Sequence, residues 1–253
     1  MKRLVIVVLA SILSMTVFAE GYQVNLLSTK QTGMGHVGTG MKLGAESMHF
    51  NPAGLVFLRT NMDFSLGISA IMAKAKYSYD GYSAKTDNPV GTPLYAYAGF
   101  KIYDNLAAGI SLTTPYGNSL KWPKNWAGAG LIQDISLKSY VIQPTLSYKI
   151  TDRLSIGVGL QLAWGNVNLS RALMGASDLQ GIGTKFESLL PLLAGVPSNI
   201  IPDEDKKAMQ DMVALMKGTE VPPAYARLEG NAHMRVGFNV GIMYDVCDKV
   251  TVG

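Results

Sequence analysis

Leu154-Ser155-Ile156-Gly157-Val158-Gly159-Leu160-Gln161-Leu162-Ala163-Trp164-Gly165 alternates large apolar residues with small or polar ones along its whole length. A period of two sends the two sets to opposite faces of a β-strand. The second set is glycine, serine, glutamine and alanine, with no charge. Residues 62–72, 94–102, 106–112, 140–150 and 234–245 repeat the alternation, although its phase slips before Ser139. A soluble sandwich would turn the large residues onto a core and would use strands of about five or six residues. A transmembrane barrel turns them to lipid, needs strands of about ten residues, and gathers aromatics at the edges of the apolar band. These strands are long, their second face is small rather than charged, and Trp164, Tyr148 and Tyr244 fall near strand ends. The barrel fits better.

The connections support that choice. Tyr103-Asp104-Asn105-Leu106, Thr151-Asp152-Arg153-Leu154 and Cys247-Asp248-Lys249-Val250 are three tight polar turns with Asp early, as hairpins require. Between them lie long polar or Pro/Gly-rich loops at about 77–93, 115–134 and 170–225. Short turns on one edge and long loops on the other is the asymmetry of outer-membrane barrels. The expected fold is all-β, a transmembrane antiparallel barrel over 57–253. The chain stops just inside a further strand, so we expect an N-terminal part of a longer barrel, because an open edge in lipid leaves backbone groups unpaired.

The chain begins with Lys2-Arg3, a short apolar run from Leu4 to Leu13, and Val17-Phe18-Ala19. That is a secretory signal peptide over 1–19, too short to span a membrane. Export to a bacterial outer membrane follows. Without Lys2 and Arg3 the formal charge falls from +4 to about +2, too balanced for a nucleic-acid partner. Cys247 is the one cysteine and has no partner within the chain. Residues 20–56 are different again. Gly33, Gly35, Gly38 and Gly40 lie among polar residues, and the stretch ends His49-Phe50-Asn51-Pro52-Ala53-Gly54. No helical or alternating period survives that glycine density. An irregular segment of this length is functional or disordered. Followed at once by strands, it reads as a plug folded within what they enclose.

The order Gly21-Tyr22-Gln23, spaced glycines, then Asn51-Pro52-Ala53 before the strands resembles the hatch of the FadL-type outer-membrane transporters for fatty acids and other hydrophobic compounds. Leu112-Thr113-Thr114-Pro115-Tyr116-Gly117, Trp122-Pro123 and Asn125-Trp126-Ala127-Gly128 resemble the second outer loop of that family. The resemblance covers nearly all of the mature chain. It implies a barrel of about fourteen strands when complete, with roughly the first half present here, a lumenal plug and a helical outer loop. It also implies passive uptake of long-chain fatty acids or similar molecules by outer-loop capture, plug movement and lateral exit into the bilayer. Hydrophobic ligand, outer-membrane lipid and the outer-membrane assembly machinery are then the partners. A general diffusion porin or a surface adhesin is the alternative; the plug argues against the porin.

Candidate site residues follow from both lines. At the plug–barrel junction Asn51 offers a polar tie, Pro52 a fixed φ without a ladder donor, and Ala53 close approach; Gly33 and Gly35 belong to the same gating set. In the loop 170–225, Leu189 and Leu190 sit in one apolar helical stretch. Met209, Met212, Val213 and Met216 form an i, i+3, i+4, i+7 stripe on a second helix, which starts after Pro202 with acidic residues and ends at Lys217-Gly218. That stripe either packs against the barrel mouth or, with Trp122 and Trp126, makes an adaptable groove that first takes the ligand. Alternation puts His233 and Arg235 on the lumen face, where Arg235 meets either a ligand carboxylate or a protein acid. The chain carries no serine-nucleophile motif and no metal-ligand spacing, so neither enzyme, cofactor nor metal is expected.

Overall fold

The computed structural model describes residues 22–253; the expected signal peptide lies outside the described residues. Ten strands form among the described residues: β1 (Met62–Ile68), β2 (Lys76–Tyr79), β3 (Tyr82–Lys85), β4 (Leu94–Tyr103), β5 (Leu106–Thr113), β6 (Gly117–Lys121), β7 (Asp134–Thr151), β8 (Leu154–Ala172), β9 (Tyr225–Cys247) and β10 (Val250–Val252). One sheet runs β1-β4-β5-β7-β8-β9-β10, every pair antiparallel, with β6 on the upper half of β7 beyond the end of β5. The turns after β4, β7 and β9 are the three short polar ones, so all long connections leave from the opposite edge. No helix among the described residues is long and apolar enough to cross a membrane.

Residues 22–58 lie across one face of this sheet, called here the inner face. They hold two short helices, α1 (Thr29–Gly33) and α2 (Ser47–Phe50), and two 3-10 turns, Gly44–Glu46 and Pro52–Phe57. Beneath them Tyr97, Ser111, Gln143, Thr145, Ser147 and Ser155 are buried. The large apolar residues on the outer face are bare: Phe64 is 65% exposed, Leu66 80% and Phe238 78%. Burial therefore runs opposite to that of a soluble protein, which would hide such side chains first. A core of Ala45, Met48, Leu55, Val56 and Leu58 from the leading segment, with Tyr95, Tyr97 and Ala107 from the wall, is what the inner face covers.

Three expectations need correction. The stretch 77–93 is not wholly loop, since β2 and β3 form a hairpin through Asp80-Gly81, with φ of 45° and 78°. An Asp-Gly pair tolerates that turn, and the sequence carried this signal. Residues 115–134 contain β6, and β7, β8 and β9 each run further toward the long loops than alternation of large residues suggested. The phase slip before Ser139 is not a slip of the backbone. The β7–β8 ladder holds one register from Asp134–Ser170 down to Lys149–Ser155.

What changes there is chemistry. Tyr140 and Trp164 stack on the outer face with ring centroids 5.9 Å apart. Above this pair the outer face turns polar, with rows Lys121-Asp134-Ser170-Arg227 and Ser119-Ser136-Asn168-Glu229 across β6, β7, β8 and β9. The inner face turns apolar, with Leu120-Ile135-Leu169-Leu228 in a single row. From Leu154 to Trp164 the outer face spans about 33 Å along the strand. Tilted as barrel strands are, that gives a band about 25 Å tall, the height of an outer-membrane apolar belt.

Candidate functional site

Asn51 caps the 3-10 turn Pro52–Phe57: its Oδ1 accepts from the Ala53 N–H at 3.1 Å, and Pro52 occupies the first position, where no N–H is needed. Its Nδ2 donates to Thr39 O at 2.7 Å and to Ile242 O of β9 at 3.0 Å. One buried amide thus ties two parts of the leading segment to the wall. Ala53 is fully buried, and its carbonyl accepts from Ser147 Oγ at 3.1 Å and Ser155 Oγ at 2.9 Å. Ser147 Oγ also accepts from Val56 N–H at 3.2 Å. Close approach needs glycine opposite. A methyl at Gly157 would strike the Pro52–Ala53 peptide, and one at Gly241 would strike Asn51 Oδ1.

The upper part of the segment is held by longer polar side chains. Gln143 Nε2 donates to Met48 O at 2.6 Å, and Asn239 Nδ2 to His49 O at 3.2 Å. Glu46, buried with no salt-bridge partner among the described residues, accepts from Ser28 Oγ and Ser65 Oγ, each at 2.5 Å. Tyr97 donates its hydroxyl to Leu27 O at 2.9 Å, and the Tyr95 hydroxyl meets Thr29. These ties are hydrogen bonds of modest net value, about 1 kcal/mol each. Such a contact surface can hold a segment in place and still release it. Gly33 ends α1, and Gly35 with His36 takes left-handed φ of 70° and 64° just beyond. Nothing packs where a Cβ of Gly33 or Gly35 would stand, so their place is in the turn rather than at the junction.

Within the leading segment lies a cavity of about 260 Å³ lined by Gln23, Asn25, Leu27, His36, His49 and Phe50. Burial pulls the His49 imidazole below its usual range. The wall is interrupted beside this cavity. β5 ends at Thr113, Pro115 follows, and β6 starts at Gly117 with no pairing to β4. Residues 22–24 fill the interruption: Val24 N–H donates to Pro115 O at 2.8 Å, Gly117 N–H to Tyr22 O at 3.0 Å, and Gln23 bridges Tyr116. Sequence reasoning missed this break, though Pro115 was its signal.

The expected outer groove is divided. Trp122 and Trp126 stack at 4.2 Å and are buried with Ala84, Ala129 and Ala172, with Leu120 of the inner apolar row packed against them. The helices α3 (Ala176–Ala194) and α4 (Asp203–Lys217) pack on each other, joined by Lys217–Glu187 at 2.6 Å. Val213 is buried, Leu190 and Met216 are partly covered, and Leu189, Met209 and Met212 are exposed. Arg235 lies on the inner face opposite Ala163 and is exposed. His233 does not share its parity, because the β8–β9 register shifts between Ala163 and Gly165. His233 and Met234 together stand opposite Trp164, as at a bulge.

The family described as outer membrane protein transport protein (OMPP1/FadL/TodX) matches residues 10–253. The chain belongs to this family. A FadL homologue from Pseudomonas aeruginosa is similar in fold, with a TM-score of 0.58 at 17% identity over 90% of this chain and 50% of that one. The toluene transporter TbuX of Ralstonia pickettii gives 0.52 at 20% identity, over 86% and 53%. The chain thus spans about half the length of these structures. No curated relative matches it. The FadL/TodX family consists of outer-membrane transport proteins, and the bare apolar belt and short turns of this sheet are those expected of an outer-membrane barrel.

Proposed function

We propose that the protein takes part in passive uptake of hydrophobic small molecules, long-chain fatty acids or similar, across the outer membrane. The observation that carries this reading is the inner apolar row Leu120-Ile135-Leu169-Leu228 above the aromatic belt. A water-filled pore has no use for leucine on its inner wall, whereas a greasy solute leaving water gains about 25 cal/mol for each Å² it buries there. Capture begins at the exposed Leu189, Met209 and Met212 and the Trp122–Trp126 stack, and the row leads downward. The leading segment acts as a plug. Its Asn51 and Ala53 ties hold it closed, and their loss opens the cavity lined by Gln23 and His49. Exit is sideways, at the break around Pro115 that residues 22–24 cover, into acyl chains rather than periplasmic water.

The test is uptake of a labelled fatty acid into cells carrying the Asn51→Ala, Pro52→Ala double variant. Altered uptake at normal protein levels supports the plug as the moving part. Unchanged uptake contradicts it.

A further inference from the structure

Above the Tyr140–Trp164 stack, a second cavity of about 550 Å³ opens at the rim of the wall. It is lined by the whole outer row Lys121-Asp134-Ser170-Arg227, and by Trp122, Lys124, Gln133 and Tyr225. Lys121, Asp134, Ser170 and Arg227 face away from the apolar row and from the leading segment, so the cavity opens on the outer side of the wall, with Trp122 between it and the inner row. The long-loop edge of such barrels is the extracellular one. At about 3.3 Å per residue, Ser170 stands about 20 Å along the strand beyond Trp164, or about 15 Å higher once tilted. That level is above the hydrocarbon and within the layer of lipid headgroups.

We propose that this cavity binds the phosphorylated sugar headgroup of an outer-leaflet glycolipid. Three independent features carry the assignment. The outer face changes from bare apolar to polar and basic at the aromatic pair with no change of register across β6, β7 and β8, so Lys138 stands nearer the belt and the row of Lys121 and Arg227 further from it. Donors and acceptors alternate in the lining, with Lys121, Lys124 and Arg227 against Asp87 and Asp134, as a ligand with both phosphates and hydroxyls requires. Arg227 also pairs with Glu229 at 2.6 Å, both side chains exposed at the rim. Finally, Gln133 is 7% exposed, and its Oε1 is buried with no hydrogen-bond partner among the described residues, while its Nε2 is taken by Trp122 O. A buried carbonyl without a donor is unfavourable, and turning the Gln133 amide toward the cavity it lines would let a sugar hydroxyl donate to it. Trp122 and Tyr225 offer aromatic surface for the C–H face of a sugar ring.

The experiment uses the full chain in detergent micelles, stripped of lipid, with lipopolysaccharide, its dephosphorylated form, phosphatidylglycerol and inorganic phosphate as separate probes. Binding is followed by native mass spectrometry. Expected is at least tenfold tighter binding of lipopolysaccharide than of phosphatidylglycerol, a loss of at least fivefold on dephosphorylation, and a similar loss in the Lys121→Gln, Lys124→Gln, Arg227→Gln variant. Asn168→Ala, milder and in the same lining, should lose a smaller part. Equal binding of phosphatidylglycerol, equal retention by the triple variant, or saturation by inorganic phosphate alone overturns the assignment. Uptake of fatty acid by the triple variant is measured alongside, because a change in uptake without a change in glycolipid binding bears on the transport reading and not on this one.

Discussion

The side-chain amide of Asn51 donates to the carbonyl oxygen of Ile242 at 3.0 Å, joining the leading segment to β9 across 191 positions of sequence. The same Nδ2 reaches Thr39 O, and the Oδ1 caps the turn at Ala53. Asn51→Ala removes all three bonds and strands two carbonyls and an N–H. We expect a loss of about 2–3 kcal/mol in the docking of the segment. Limited proteolysis checks it: residues 22–58 should be cut first, while the strands remain protected.

Glycines opposite the junction give a sharper test, because they separate contact from composition. Gly157→Ala drives a methyl into the Pro52–Ala53 peptide and should cost about 1–3 kcal/mol. Gly181→Ala, on α3 with open space where its Cβ would lie, should stabilise that helix by about 1 kcal/mol. Thermal melting in detergent reads both.

Acid should loosen the segment through His49. The packed imidazole is held neutral by burial, whereas one in water protonates near pH 6.5. Its folded value is depressed, so the docked state keeps its full stability above about pH 6.5 and loses it as pH falls toward the lower value. Protease sensitivity of residues 22–58 should rise between neutral and mildly acidic pH, and His49→Gln should remove most of that dependence.

Charge placed on the two sides of the wall should have unlike effects. Phe238→Arg puts a guanidinium on the bare outer face and should cost about 2–4 kcal/mol, read by urea unfolding from vesicles. Leu228→Arg, on the inner apolar row above the belt, should leave insertion intact and lower fatty-acid uptake severalfold.

Much of this wall was legible in the sequence because alternation reports a strand whose two faces meet different media. Ser155, Gly157 and Gly159 against Ile156, Val158 and Leu160 gave β8 its direction and its faces. Alternation fails where the medium changes along a strand. Above Trp164 the same backbone carries Val167 and Leu169 inward and Asn168 and Ser170 outward, and a pattern reader sees broken phase instead of a crossed boundary. The bulge at His233–Met234 was invisible for a related reason, since an extra residue flips parity without altering composition. At the junction, Asn51-Pro52-Ala53 stood out, but Ser147, Ser155, Gly157 and Gly241 did not. They are ordinary strand residues until the turn Pro52–Phe57 is laid on them.

The account turns on which side of the wall meets lipid and where that side ends. Nitroxide labels placed singly at Val158, Leu160, Leu169 and Ser170 of the protein in bilayers answer this, with relaxation by dissolved oxygen compared against relaxation by a water-soluble nickel complex. The predicted result is high oxygen and low nickel accessibility at Val158 and Leu160, high nickel accessibility at Ser170, and shelter from nickel at Leu169. Nickel-accessible labels at Val158 and Leu160, or the same response at Leu169 as at Ser170, would contradict it.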